Sequence, residues 1–200
     1  MKKIGANLAL AAAFLAGART ASAQFAELWF SGGKSLLQNR DLGSGQPTGS
    51  KSDFQLSDGF RFAFRGTFNT PGSFGHEIFY AYSRTQLRDN VTPSQMGMAV
   101  HQAGYNFLAY ATKEGKRIRP FGTGGVGFAN FVPPGSSVAR GGGDTKYGVN
   151  YGGGLKVRVA SIWAVRVDIR QYLTPKPFNL YLKEGWIRQN ELSAGLGVVF

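Results

Sequence analysis

Apolar and polar residues alternate strictly over long stretches of this chain, and this pattern constrains the fold more than any other feature. The clearest stretch is FRFAFRGTF, in which Phe60, Phe62, Phe64 and Phe68 share one parity and two arginines occupy the other. Successive side chains of a strand point to opposite faces of a sheet. Four aromatic rings opposite two arginines do not suit a strand buried on both faces of a soluble protein. The stretch therefore predicts a strand that separates an apolar environment from a polar one.

The same alternation, or an extended pattern, recurs in eight segments after residue 24. In chain order they are AELWFSGGK, FRFAFRGTF, HEIFYAYSRTQL, VHQAGYNFLAYAT, RPFGTGGVGFANFV, KYGVNYGGGLKVRVA, AVRVDIRQY and ELSAGLGVVF. The fifth segment, 119–132, has an extended character, but its pattern does not show which residues share a face. Within these segments we expect strands of about nine to eleven residues, the length that crosses a bilayer when a strand is tilted.

Long and short connections alternate between these segments. Long or moderately long connections are expected at 36–59, 88–95, 133–144 and 175–185, and short ones at 69–75, 113–116 and 161–163. This rhythm is typical of membrane barrels with an even number of strands. An open sheet cannot lie in lipid, because its edges would leave unpaired N–H and C=O groups. The sequence therefore predicts an all-β fold, an eight-stranded antiparallel transmembrane up-and-down β-barrel.

The start of the chain has the pattern of a cleaved secretory signal. A positively charged start precedes an apolar run at 8–16, and an Ala-Ser-Ala tripeptide ends at Ala23, just before Gln24. The run is too short for a membrane anchor. We expect cleavage between Ala23 and Gln24, so that residues 1–23 are the signal and residues 24–200 form one barrel domain.

Composition limits the cofactors and partners. The chain has no cysteine, which excludes disulfides and thiolate metal sites. Its formal net charge is +12, but the basic residues are scattered singly through the alternating segments. For an exported chain, this distribution favours outer-membrane lipids and anionic lipopolysaccharide as partners, and it disfavours nucleic acid. We expect a monomer without a cofactor.

Three segments resemble the small eight-stranded outer-membrane barrels of Gram-negative bacteria, the OmpA/OmpX-like group, and in particular the outer-membrane protein β-barrel domain family. They are RPFGTGGVGF, YGGGLKVRVASIWAVRVDIRQY and the alternating strand that ends at Phe200. The resemblance covers 24–200 and implies a multi-pass protein of the cell outer membrane, with both mature termini in the periplasm. It also implies that Leu196, Val198 and Phe200 form a signal read by the outer-membrane assembly machinery.

Ten charged side chains fall on the polar parity of the strands. They are Glu27, Arg61, Arg65, Glu77, Lys156, Arg158, Arg166, Asp168, Arg170 and Glu191. An eight-stranded barrel is only wide enough for side chains to fill its interior, where charges of both signs can pair. We expect a structural charge network in the lumen, in which Asp168 neutralises Arg166 and Arg170. A narrow pathway that favours anions is the alternative.

Other motifs indicate no site. GTGGVG at 122–127 matches a dinucleotide-binding pattern, but the residues that follow it, FANFVPPG, cannot begin a helix. The two histidines, His76 and His101, would make a poor metal site by themselves. His101 and Ser94 near one barrel end suggest a lipid A hydrolase, but no acidic residue is placed with them.

Aromatic residues near the strand ends fit the belts found at both membrane interfaces. They are Tyr105, Trp163, Tyr172, Trp186 and Phe200. A soluble lipocalin-like barrel would reverse the two faces and bind a small hydrophobic ligand inside. The terminal phenylalanine and the rhythm of the connections favour the membrane. We expect a non-enzymatic protein that supports membrane integrity or makes surface contacts through its long loops. A small pore with a charged lumen and a lipid A-modifying enzyme are the alternatives.

Overall fold

A computed structural model describes residues 26–138 and 141–200 of the protein. The predicted signal at 1–23, with its cleavage site between Ala23 and Gln24, lies outside the described residues. The strands are β1 (Ala26–Gln38), β2 (Asp41–Gly43), β3 (Phe54–Leu56), β4 (Gly59–Asn69), β5 (Phe74–Asp89), β6 (Ser94–Tyr110), β7 (Ile118–Val132), β8 (Asp144–Arg158), β9 (Trp163–Pro175) and β10 (Trp186–Val199). Within the described residues, no helix has the length and apolar character needed to span a bilayer.

Eight of these strands form a closed barrel, which confirms the predicted all-β, antiparallel, up-and-down fold. β1 and β4 to β10 pair antiparallel, each with the next barrel strand along the chain. β1 also pairs with β10, from Glu27 opposite Val199 to Gln38 opposite Arg188, and this pairing joins the first strand to the last. The wall therefore has no free sheet edge, as a strand structure in lipid requires.

The barrel strands are longer than the nine to eleven residues expected, because they run from 11 to 17 residues. β5 and β6 stay paired up to Asp89 opposite Ser94, so the connection expected at 88–95 is only the turn 90–93. Polar residues such as Arg88 and Gln95 suggested a loop in the sequence. They instead continue the outward-facing side of a hairpin that extends beyond the apolar band.

The two ends of the barrel differ. The long-loop end carries the connections 39–58, 90–93, 133–143 and 176–185, and the short-turn end carries 70–73, 111–117 and 159–162. β2 and β3 lie in the first long connection, where β3 extends the sheet along the end of β5.

The buried apolar residues at the long-loop end form one cluster: Leu42, Leu56, Met98, Val100, Ala129, Phe131 and Ile187. An apolar layer thus lies across the lumen at the long-loop end.

The outward side of the wall is an apolar band. Phe60 is 68% exposed and Ile169 is 65% exposed, and the same band contains Leu28, Phe30, Phe62, Phe64, Ile78, Val126, Tyr147, Val149, Val167, Leu192 and Leu196. The inward side is mostly polar and charged. An apolar surface of this size is unfavourable in water and suits lipid. The observed faces are therefore the opposite of those in a soluble lipocalin-like barrel.

Strand β7, whose faces the pattern left open, places Arg119, Phe121 and Thr123 inward and Val126 and Phe128 outward. The inward residues Arg119 and Phe121 have large side chains, and both are buried inside the barrel.

Candidate functional site in the barrel lumen

Nine of the ten charged residues singled out in the sequence lie buried in the lumen. They are Glu27, Arg61, Arg65, Glu77, Lys156, Arg166, Asp168, Arg170 and Glu191. The tenth, Arg158, is half-buried at the end of β8, where it borders a small cavity at the short-turn end. The strand parity brings these side chains to one place, because every second residue of each strand points into the barrel.

Glu77 and Asp168 bind three arginines at the centre of the lumen. Glu77 Oε2 lies 2.6 Å from Arg166 Nη1, and Glu77 Oε1 lies 2.9 Å from Arg170 Nη1. Asp168 accepts from Arg166 Nε at 2.7 Å and lies 2.9 Å from Arg170 Nη2. Arg65 Nε is 3.9 Å from Glu77 Oε1. Each carboxylate therefore faces at least two guanidinium groups, so neither is an isolated buried charge.

Glu191 forms a second node of the network. Its carboxylate accepts hydrogen bonds from Arg61 Nε at 2.8 Å, from Tyr172 Oη at 2.9 Å and from Arg65. The Arg61 guanidinium also lies over the Tyr172 ring, 4.4 Å from its centroid. The expectation that Tyr172 belongs to an interfacial belt is therefore wrong, since its side chain is 4% exposed and points inward. The other four belt aromatics, Tyr105, Trp163, Trp186 and Phe200, are exposed on the outside.

Glu27 is the acidic group of the network at the short-turn end. It pairs with Lys156, and its oxygens accept hydrogen bonds from Trp29 Nε1 and Asn69 Nδ2, both at 2.8 Å. Lys156 Nζ also donates to Tyr110 Oη at 2.8 Å. Two residues here were not identified in the sequence, Tyr110 and the buried Arg119. Arg119 lies on the strand with unassigned faces, so its inward position could not be read from the pattern.

Neutral amides and hydroxyls fill the lumen towards the long-loop end. Gln102 Nε2 donates to Gln189 Oε1 at 3.0 Å, and Gln189 Nε2 donates to Ser35 Oγ at 2.6 Å. Arg61 Nη1 donates to Ser83 Oγ at 3.2 Å, which links the amides to the charges. The parity of their strands places these side chains inward. The hydrogen bonds that they make depend on residues of other strands, which the pattern of one strand does not reveal.

The lumen is closely filled by this network. Two cavities bordered by its residues have volumes of about 10 and 20 Å³. A single water needs about 10 to 15 Å³, so each space holds about one water. The described lumen contains six buried cations, Arg61, Arg65, Arg119, Lys156, Arg166 and Arg170, and four buried carboxylates, Glu27, Glu77, Asp168 and Glu191.

The turn 111–117 adds one further acidic group, Glu114, beside the lumen. Its Oε2 lies 2.9 Å from Arg119 Nη1, and its side chain is mostly shielded from solvent. Burial raises the pKa of the Glu114 carboxyl, although the positive charge of Arg119 opposes this effect. The ion pair therefore does not fully offset the desolvation of the carboxylate.

The other candidate sites remain apart from the lumen. His101 faces outward and contacts Tyr80 Oη at 2.7 Å, while His76 contacts Tyr105 Oη on the same outer face. Ser94 begins β6, seven positions before His101, which separates them by roughly 23 Å along the strand. GTGGVG lies inside β7. Among residues 26–138 and 141–200, no three His, Asp or Glu side chains form a metal-binding group.

Comparison with known proteins agrees with the geometry. The family profile described as outer membrane protein beta-barrel domain matches residues 8–200. Neisserial surface protein A is similar in structure, with a TM-score of 0.62, 15% identity, and coverage of 88% of this chain and 97% of that one. The outer membrane protein OprG from Pseudomonas aeruginosa has a TM-score of 0.54 and 10% identity, with 89% and 97% of the two chains covered.

A third similar structure is Ail, the attachment invasion locus protein of Yersinia pestis. Its TM-score is 0.53 and its identity 12%, with 89% of this chain and 99% of that chain covered. No curated protein sequence matches the chain. At these identities the likeness to solved structures shows the fold, whereas the family profile spans nearly the whole sequence. The chain therefore belongs to the outer membrane protein β-barrel domain family and is a small eight-stranded barrel of the outer membrane.

Proposed function

We propose that this protein is a non-enzymatic, non-conducting barrel that supports membrane integrity and presents its long loops for surface contact. The observation that carries the proposal is the filled lumen, in which buried arginines and carboxylates pair across the barrel. An ion would have to break several of these pairs to pass. The apolar layer around Leu42 and Leu56 supports the same conclusion, since it lies across the long-loop end.

Conductance of the purified protein in a planar lipid bilayer tests this proposal. We expect no discrete current steps from the unmodified protein. The double variant Arg61→Ser/Glu191→Ser serves as a comparison, because it removes the pairs that Glu191 makes with Arg61 and Arg65 without changing net charge. It should admit ions. Stepwise, anion-selective current from the unmodified protein would instead establish the pore. A changed mass of lipid A after incubation with the protein would establish the enzyme.

The proposed orientation places both mature termini in the periplasm and the long loops outside the cell. Its support is a belt of exposed cations on the outer wall near the long-loop end, namely Lys34, Arg84, Arg88 and Arg188. Guanidinium and ammonium groups at the border of an apolar band suit the phosphates of an anionic lipid. Lipopolysaccharide is the partner proposed for this belt, and the assembly machinery is the partner proposed for Leu196, Val198 and Phe200.

Lipopolysaccharide binding by the belt is testable with a triple variant. Lys34→Gln/Arg84→Gln/Arg188→Gln should bind less lipopolysaccharide than the unmodified protein when both are reconstituted in phosphatidylcholine and titrated. Lys51→Gln is the control, because Lys51 is an exposed cation on connection 39–58 and belongs to no barrel strand. Equal binding by all three proteins would refute the belt as the binding surface.

A further inference from the structure

Basic side chains gather at the short-turn end of the lumen around the cavity of about 20 Å³. The charged residues that border it are Glu27, Lys116, Arg117, Arg119, Lys156 and Arg158. Glu27 pairs with Lys156 and lies 3.9 Å from Arg119, which also pairs with Glu114 outside the cavity lining. The three remaining cations at the border, Lys116, Arg117 and Arg158, pair with no carboxylate among the residues lining the cavity. Like charges gathered in one concave site raise the local potential and attract ions of the opposite sign.

Arg119 is the buried member of this group, with 4% of its surface exposed. Its Nε, Nη1 and Nη2 atoms make no hydrogen bond to any described residue. Carboxylate oxygens of Glu114 and Glu27 lie 2.9 and 3.9 Å from Nη1, but neither contact has hydrogen-bond geometry. The Tyr110 ring covers one face of the guanidinium, with 3.7 Å between its centroid and Arg119 Cζ. The unused N–H groups of a buried guanidinium are unfavourable until an acceptor meets them.

The outer members of the group lie on two adjoining hairpins. Lys116 and Arg117 are exposed on the turn 111–117, and Arg158 precedes the turn 159–162. Arg117 Nε donates to the carbonyl oxygen of Arg158 at 3.2 Å, so the two hairpins are tied together at this point. The cavity has room for about one water, so an anion larger than water does not fit inside it. Such an anion would bind at the mouth of the cavity, with the oxygens of the anion facing Arg119.

We propose that the mouth formed by Lys116, Arg117, Arg119 and Arg158, hereafter the short-turn mouth, binds a phosphate group. A phosphate offers several acceptor oxygens in the geometry that guanidinium groups match in pairs. The phosphate belongs either to the headgroup of an anionic phospholipid in the adjoining leaflet or to a free phosphate ion. This site lies at the opposite end of the barrel from the proposed lipopolysaccharide belt, and it does not depend on the proposed function.

Glu114 acts as an internal competitor at this site. One of its carboxylate oxygens lies 2.9 Å from Arg119 Nη1, so the carboxylate occupies a position beside the guanidinium. A bound phosphate would take the place of this carboxylate beside the guanidinium. Removing the negative charge of Glu114 should therefore strengthen phosphate binding, whereas a merely structural ion pair predicts no gain.

The test uses the full mature protein in nanodiscs. In one arm, inorganic phosphate is titrated into phosphatidylcholine discs by calorimetry; in the other, native mass spectrometry counts phosphatidylglycerol retained by protein released from mixed discs. Lys116→Gln/Arg117→Gln changes two exposed residues and should weaken binding at least tenfold. Glu114→Gln should tighten it severalfold. Arg119→Gln, checked for folding by its gel mobility before boiling, should abolish it.

Lys113→Gln is the matched control, because Lys113 is exposed on the same turn but does not border the cavity. It should change binding less than twofold. Binding in the first arm identifies free phosphate as a ligand, and binding only in the second identifies the lipid headgroup. The proposal is overturned if neither arm shows binding. It is also overturned if Lys113→Gln weakens binding as much as Lys116→Gln/Arg117→Gln does, or if Glu114→Gln leaves the affinity unchanged.

Discussion

Replacing Asp168 by alanine should destabilise the barrel more than the loss of any single exposed charge. Asp168 is fully buried and accepts hydrogen bonds from Arg166 Nε at 2.7 Å, Arg166 Nη2 at 2.9 Å and Arg170 Nε at 3.0 Å. Its removal leaves both guanidinium groups short of a partner, although Glu77 still contacts each of them. Breaking a buried pair is worth about 3 to 5 kcal/mol, and the remaining contacts of Glu77 place the expected loss near 3 kcal/mol.

Equilibrium unfolding in urea, with the protein reconstituted in lipid vesicles and followed by tryptophan fluorescence, measures this loss. Arg166→Ala should cost less, since Arg170 remains beside both Glu77 and Asp168. Glu184→Ala is the control, because its pair with Lys51 is exposed and separated by 3.9 Å, and such pairs contribute about 0 to 1 kcal/mol. If Asp168→Ala unfolds at the same urea concentration as the unmodified protein, the charge network does not stabilise the fold.

Three further predictions follow from the wall, the packing of the lumen and the terminal strand. The folded protein should migrate differently on SDS gels before and after boiling, because a closed barrel resists detergent, and identical mobility would argue against closure. Gly197→Ala should destabilise the barrel by about 1 to 3 kcal/mol in urea unfolding, since a Cβ at Gly197 would lie within 2.8 Å of three Trp29 ring atoms. The same change in a Trp29→Ala background should cost less, and an equal cost would exclude the ring as the cause. Deleting Phe200, which is exposed on the outer wall, should lower the amount assembled in cells far more than the stability of protein refolded in detergent. Burial of the Phe200 ring contributes at most about 3 kcal/mol to stability. Normal assembly of the deletion variant in cells would show that Phe200 has no role in recognition.

The fold could be predicted from the sequence because each barrel strand carries its own two-faced pattern. Phe60 and Arg61 point to opposite environments whatever strand lies beside them, and eight such patterns leave few arrangements other than a closed barrel. The ends of the strands were less predictable. The polar extensions of β5 and β6 resemble loops in composition, and their pairing becomes evident only when the two strands are placed together.

The lumen could be predicted in part, because parity determines which side chains point inward but not which of them meet. Tyr172 shares its parity with Arg170 and Asp168, yet its position near a strand end suggested an interface. Its contact with Arg61 crosses the barrel from β9 to β4, and no pattern within one strand reports such a contact. Arg119 was missed for a related reason: the many glycines of β7 leave too few side chains to distinguish its two faces.

The most direct test of the central claim is whether lipid meets the apolar face of the wall and not the polar one. Trp29 and Trp163 lie at nearly the same height, since Trp29 is opposite Gly197 and Trp163 is opposite Val198, but Trp29 points inward and Trp163 outward. Two single-tryptophan proteins, with the other two tryptophans replaced by phenylalanine, can be reconstituted in brominated lipid, which quenches fluorescence on contact. Strong quenching of Trp163 and little quenching of Trp29 is the result expected here. Equal quenching of both, or stronger quenching of Trp29, would contradict the assignment of the two faces.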